Sequence, residues 1–146
     1  LVDPDNRRPV EFDRRRDMLA ALAGDADPAA MLESWQDGRI KLFVTHRGLQ
    51  TRRELPDVFV GGAYHPLVVE TSVPAEAVAF ARTSGTDAVL VVAPRLCAAL
   101  PGAEPQFPLG GERWKTSRVL LPDELRDRTF RDVFTGAEIK PVIELV

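Results

Sequence analysis

Two carboxylates, an amide and two guanidiniums fall together in Asp3-Pro4-Asp5-Asn6-Arg7-Arg8, and Pro4 and Pro9 stiffen the segment. Planar carboxylates and guanidiniums each bond two neighbouring groups, a geometry that suits adjacent sugar hydroxyls. Asp3, Asp5, Asn6, Arg7 and Arg8 are therefore the candidate substrate-binding residues. The same side chains could instead pair with one another, hold a turn and cap the helix that follows. Composition alone favours that second reading.

The other chemistry-bearing types are sparse. Arg7-Arg8 and Arg14-Arg15-Arg16 could hold phosphate. However, Asp3, Asp5, Glu11, Asp13 and Asp17 are interleaved with them, so a salt-bridged helix face is expected. His46 has no Asp or Glu three or four residues away, which gives a triad or metal role little support. Two histidines and one cysteine do not build a zinc site at these spacings. Cys97 sits in the apolar run Ala88 to Leu100, far in sequence from His46 and His65, and is expected to be a small buried hydrophobe rather than a nucleophile. Trp114, after Gly110-Gly111-Glu112-Arg113, could stack on a sugar ring, but packing against a β domain is the stronger expectation. No phosphate-binding glycine loop or Gly-x-Ser-x-Gly elbow occurs. No metal and no cofactor are expected.

Bulk properties narrow the class. With 146 residues, 45% of them hydrophobic and 28% charged, the chain can bury a core and is not disordered in composition. A net charge of -3 argues against a nucleic-acid tracker. No apolar run approaches the ~20 residues that span a bilayer, so no membrane partner is expected and a cytoplasmic location is the default. The chain opens on Leu1-Val2-Asp3-Pro4 without Met, as if cut from something longer.

Two kinds of pattern follow one another. Phe12, Leu19, Leu22 and Ala23 share a helical face that Gly24 ends. Asp27-Pro28 starts a short helix through Met31, Leu32 and Trp35 that Asp37-Gly38 stops. Arg39 to Leu55 is the longest helix candidate, with a stripe of Ile40, Phe43 and Val44 flanked by Leu42 and Leu49, ended by Pro56. After Gly61-Gly62, strands are expected at Tyr64–Glu70, Ala77–Arg82, Ala88–Ala93, Arg118–Leu121, Thr129–Phe134 and near Val142–Val146. The continuously apolar Val89-Leu90-Val91-Val92 predicts a central strand buried on both faces. The pattern gives an α+β chain, with helices over residues 1–62 and an antiparallel β-sandwich over residues 63–146. Trp35, Ile40 and Phe43 need a surface to cover, more of it than the β domain offers.

The wording of the sequence carries a resemblance. Leu1-Val2-Asp3-Pro4-Asp5-Asn6-Arg7-Arg8-Pro9-Val10 resembles the segment after the eighth barrel strand in maltooligosyl trehalose synthases. Asp37-Gly38-Arg39-Ile40-Lys41-Leu42-Phe43-Val44-Thr45 is similar to the start of that family's last barrel helix. Arg52-Arg53-Glu54-Leu55-Pro56-Asp57-Val58-Phe59 and Gly61-Gly62-Ala63-Tyr64-His65-Pro66-Leu67 resemble its exit into the C-terminal domain. Val78-Ala79-Phe80-Ala81-Arg82, Val91-Val92-Ala93-Pro94-Arg95-Leu96 and Phe134-Thr135-Gly136 fit too, though they are generic to α-amylase-like enzymes.

The resemblance implies helices that close a (β/α)8 barrel over residues 1–62, then a C-terminal β domain. It implies an intramolecular transglucosylase, an isomerase that turns the reducing-end α-1,4 bond of a maltooligosaccharide into an α,α-1,1 bond. An Asp nucleophile and a Glu acid/base about 5 Å apart would act with retention. Those carboxylates belong to barrel strands four, five and seven, upstream of this chain. The resemblance thus implies no catalytic residue here, an inactive isolated chain, and the upstream barrel and a maltooligosaccharide as partners. It would set the Asp3 to Arg8 loop on the catalytic face. A stand-alone carbohydrate-binding or structural β module is the alternative.

Overall fold

The structure, a computed structural model, describes residues 10–22, 26–73, 76–97, 107, 109 and 111–142. These separate into two compact units. The first holds the described residues up to Thr51 with Asp132–Ala137; the second holds those of Arg52–Arg131 and from Glu138 onward.

Three helices make the first unit. α1 (Phe12–Ala21) buries none of its residues. Phe12 is 70% exposed and Leu19 also faces out, so of the expected α1 stripe only Leu22, just past the helix, enters a core. Ala23 and Gly24 lie outside the described residues. α2 (Pro28–Glu33) starts as expected: the Asp27 carboxylate accepts from the Ala29 N–H at 2.9 Å and Pro28 occupies the first turn. A 3₁₀ turn, Trp35–Asp37, closes on Gly38 at φ 83°, a left-handed backbone that glycine adopts without Cβ strain. α3 (Arg39–Glu54) follows and ends before Pro56. Its Phe43 is 1% exposed and packs with Leu22 and Met31, flanked by Ala26, Ile40 and Leu42. The Phe134 ring joins it at 6.3 Å, and Arg47 lies 5.4 Å over the Phe43 ring. Val44 and Leu49, counted with the α3 stripe and its flank, are exposed.

In the second unit Pro56 opens a further short helix, α4 (Pro56–Val60), which buries Val58. Four strands follow: β1 (Ala63–Leu67), β2 (Val69–Glu70), β3 (Glu76–Ser84) and β4 (Asp87–Arg95). β1, β3 and β4 form one antiparallel sheet in that order. The expectation for Val89 to Val92 is corrected here: β4 is half-exposed and, among the described residues, pairs on one side alone, while the central strand is β3. The physical reason is size. Ala79 and Ala81 bury almost completely, and their small side chains let neighbours approach β3 closely. On the opposite face the rings of Tyr64 and Phe80 meet at 5.2 Å.

α5 (Gly111–Trp114) precedes β5 (Arg118–Val119), which pairs with β2. α6 (Asp123–Arg126) buries Leu125, and β6 (Phe130–Arg131) pairs with β7 (Glu138–Ile139). The β6 strand is shorter than expected because Asp132 turns the chain. Its carboxylate accepts from the N–H groups of Phe134 and Thr135, and Gly136 takes φ 76°. The last strand among the described residues is β7; the strand expected near Val142–Val146 falls mostly on residues 143–146, which are outside the described ones. The fold is α+β with antiparallel sheets. No helix among the described residues is long and apolar enough to cross a membrane.

Candidate functional site

The polar groups with the most built surroundings lie where α4 meets the first sheet. Arg82, on β3, donates through Nε to the Val58 carbonyl at 2.9 Å and through Nη2 to the Gly62 carbonyl at 3.0 Å. Carbonyls at a helix end lack intrahelical partners, and a half-buried guanidinium supplies them here. Gly62 itself is held tightly: a Cβ there would sit 2.4 Å from the Val58 oxygen and 2.8 Å from the Thr83 oxygen. Across β1 and β3, His65 Nε2 shares a hydrogen bond of 2.9 Å with Thr83 Oγ1. Each of these groups fastens backbone or neighbouring strands.

Residues 64–68 and 120–122 line a shallow groove of about 330 Å³. The Leu120 N–H donates to the Val68 carbonyl at 2.9 Å and joins the two walls. The lining is largely aliphatic, and its imidazole is already engaged by Thr83. Nothing in it forms a nucleophile–base pair.

Several of the described carboxylates face guanidiniums. Glu11 meets Arg14 at 3.3 Å and Asp13 meets Arg16 at 2.9 Å, so the described part of the Arg-rich start has the salt-bridged helix face expected of it; Arg7 and Arg8 lie outside the described residues. Glu70–Arg118, Glu76–Arg95 and Asp123–Arg126 tie strands or a helix turn. Such exposed pairs contribute little to stability, roughly 0–1 kcal/mol each. Asp37 is the most organised of them. Its Oδ1 accepts from the Arg39 N–H at 2.8 Å and its Oδ2 from Arg39 Nε at 2.7 Å. The backbone hydrogen bond chiefly holds the Asp37 carboxyl below its ordinary value; desolvation opposes this, and the Arg39 side chain, its charge and Ser34 add to it. This is a helix cap, not an acid/base pair. Among the described residues no three His, Cys, Asp or Glu side chains cluster as metal ligands would.

The residues singled out in the sequence fare differently. Asp3, Asp5, Asn6, Arg7 and Arg8 lie outside the described residues. Cys97 is half-buried, a free thiol whose Sγ lies 3.5 Å from the Arg95 carbonyl, less enclosed than expected. Trp114 is half-buried in α5, and its carbonyl accepts from Ser72 Oγ at 3.2 Å. Sequence reasoning missed Arg82 and the crowding at Gly62. The only available signal was the Gly61-Gly62 pair, since a paired glycine before a strand often marks close backbone approach.

The site is therefore that of an α+β chain whose described polar groups build and fasten structure. Comparison with known proteins gives the rest. No family model matches the chain, and no solved structure matches it. It is 38% identical over 92 residues to a curated protein of Mycobacterium tuberculosis named "Putative maltooligosyl trehalose synthase", and equally to its counterpart from a second strain. The match takes in 63% of this chain and 10% of each relative, so the chain spans a small part of their length. The resemblance read from the motifs is thus found again over those 92 residues.

Proposed function

We propose that this chain is the C-terminal portion of a maltooligosyl trehalose synthase, whose reactive carboxylates are supplied by an upstream barrel. The observation that carries the reading is the 38% identity to the relatives of that name, over most of the chain and a tenth of their length. The proposed reaction converts the reducing-end α-1,4 bond of a maltooligosaccharide into an α,α-1,1 bond by intramolecular transfer, in the cytoplasm. In it, residues 1–62 complete the barrel and residues 63–146 form a β-sandwich that buttresses it.

Two features support that division of labour. Several described carboxylates, among them Asp37, Glu70 and Asp132, are engaged by guanidiniums or backbone donors, as scaffold groups are. The helical unit also leaves Phe12, Trp35 and Leu49 substantially exposed, apolar surface that the proposed barrel would cover. In the full-length protein the Asp3 to Arg8 loop is proposed to help shape the pocket that holds the released glucose. Closing that pocket matters because water competes with the sugar for the glycosyl-enzyme.

The test is complementation. The isolated chain should form no trehalosyl product from maltopentaose, and mixing it with the separately expressed upstream portion should restore formation. A soluble, folded mixture that stays inactive counts against the proposal. The alternative, a free-standing carbohydrate-binding module, is separated by calorimetry: heat from maltooligosaccharides at micromolar to millimolar concentration, with the chain alone, would support it instead.

A further inference from the structure

We propose that a second copy of this chain pairs antiparallel along the outer edge of β4, about a two-fold axis at Val91. The two edges of the β1-β3-β4 sheet are unlike. Ser84 pairs with Asp87 across the Gly85-Thr86 turn, so alternation directs the backbone groups of residues 87, 89, 91, 93 and 95 toward β3. The N–H groups of Ala88, Leu90 and Val92 therefore point away from the sheet. Pro94, which has no N–H, falls at an outward position, so it costs the β3 ladder nothing and ends the run of outward N–H groups. By the same alternation only Tyr64 and Pro66 of β1 face outward, and Pro66 blunts that edge. Among the described residues no strand pairs with the outer side of β4.

Charge selects the partner and the register. Asp87 and Arg95 stand at opposite ends of β4, four residues on either side of Val91. Antiparallel self-pairing about Val91 sets each Asp87 opposite the Arg95 of the other copy, twice per dimer. It also makes Leu90 and Val92 a hydrogen-bonded pair between copies, which matches the direction of their N–H groups. Val91 then meets its own symmetry mate on the face that carries Phe80 and Tyr64, and Val92, 52% exposed, is covered. Sliding the register by two residues sets Asp87 opposite either Ala93 or residue 97 and loses both charge pairs. Arg95 also touches Glu76 at 3.3 Å, so its charge is shared at this corner. An unlike charge pair directly opposite across strands is favourable and a like pair is not.

Sedimentation of the full chain tests this. The wild type should show a reversible dimer. Val92→Lys, at an exposed side chain, should raise its dissociation constant at least about tenfold. Asp87→Arg should weaken it by about the same factor, and Asp87→Arg with Arg95→Asp should restore it. In a Cys97→Ser background, Val91→Cys should give a disulfide-linked dimer under mild oxidation and Val89→Cys should not. A chain that stays monomeric at high concentration overturns the proposal. So does a dimer indifferent to both Val92→Lys and Asp87→Arg. Concentration-independent protection of the Leu90 and Val92 amides would assign the edge to a segment of the same chain and overturn it equally. Circular dichroism of each variant keeps misfolding from passing as dissociation.

Discussion

At Gly62 the backbone leaves no space for a side chain, because the Val58 and Thr83 carbonyls stand where a Cβ would be. Gly62→Ala should destabilise the second unit by about 1–3 kcal/mol through overpacking, read from urea unfolding at constant slope. Arg82→Met keeps the side-chain bulk but strips the Val58 and Gly62 carbonyls of their donors, and should cost about 1–3 kcal/mol. Both changes act on the Val58 carbonyl, so their double variant should be non-additive. Asp37 gives a pH signature. Its folded carboxyl titrates below the unfolded one, so its contribution is full above about pH 4 and is lost as pH falls through the folded value. Asp37→Asn should lower Tm at pH 7 and lower it less at pH 3; an equal gap at both would show that the charge contributes nothing. Local signals made Asp27 and the Asp37-Gly38 stop legible in the sequence, since a cap needs only neighbours along the chain. The Arg82 clamp was not legible, because its acceptors lie 20 and 24 residues away and any exposed arginine has the same spelling.

Elements with strong punctuation were read well. α3 is bounded by Gly38 and Pro56, and the β3–β4 hairpin turns at Gly85, so their limits in the sequence and in the structure nearly coincide. The ranking of strands was misread because a continuous apolar run looks equally like a buried strand or a sticky edge. Ala79 and Ala81 give β3 little hydrophobic weight while allowing the closest packing. α4 and α6 were missed: Pro56 was read as the end of α3 although it also opens α4, and Pro122, which precedes α6, was not read at all. The helical unit depends on a small core. Phe43 joins Leu22, Met31 and the Phe134 ring, so Phe43→Ala should cost about 3–5 kcal/mol. Loss of helical ellipticity near room temperature is the expected readout, and a cost below about 1 kcal/mol would mean that this core is not what holds α3.

For the whole molecule, the motifs and the identity to full-length relatives point the same way, while the described side chains supply scaffolding. The segment best suited to touching sugar, Asp3 to Arg8, lies outside the described residues, so its role is a matter for kinetics. In the full-length protein Arg8→Ala should impair the use of maltooligosaccharide more than it lowers Tm; the reverse order would favour a loop that merely holds a turn. The most direct measurement is the product formed from maltopentaose by the full-length protein that contains this chain. Loss of reducing ends without release of free sugars, together with the anomeric signal of an α,α-1,1 bond, is the predicted result. Unchanged maltopentaose, or a gain in reducing ends from hydrolysis alone, would contradict it.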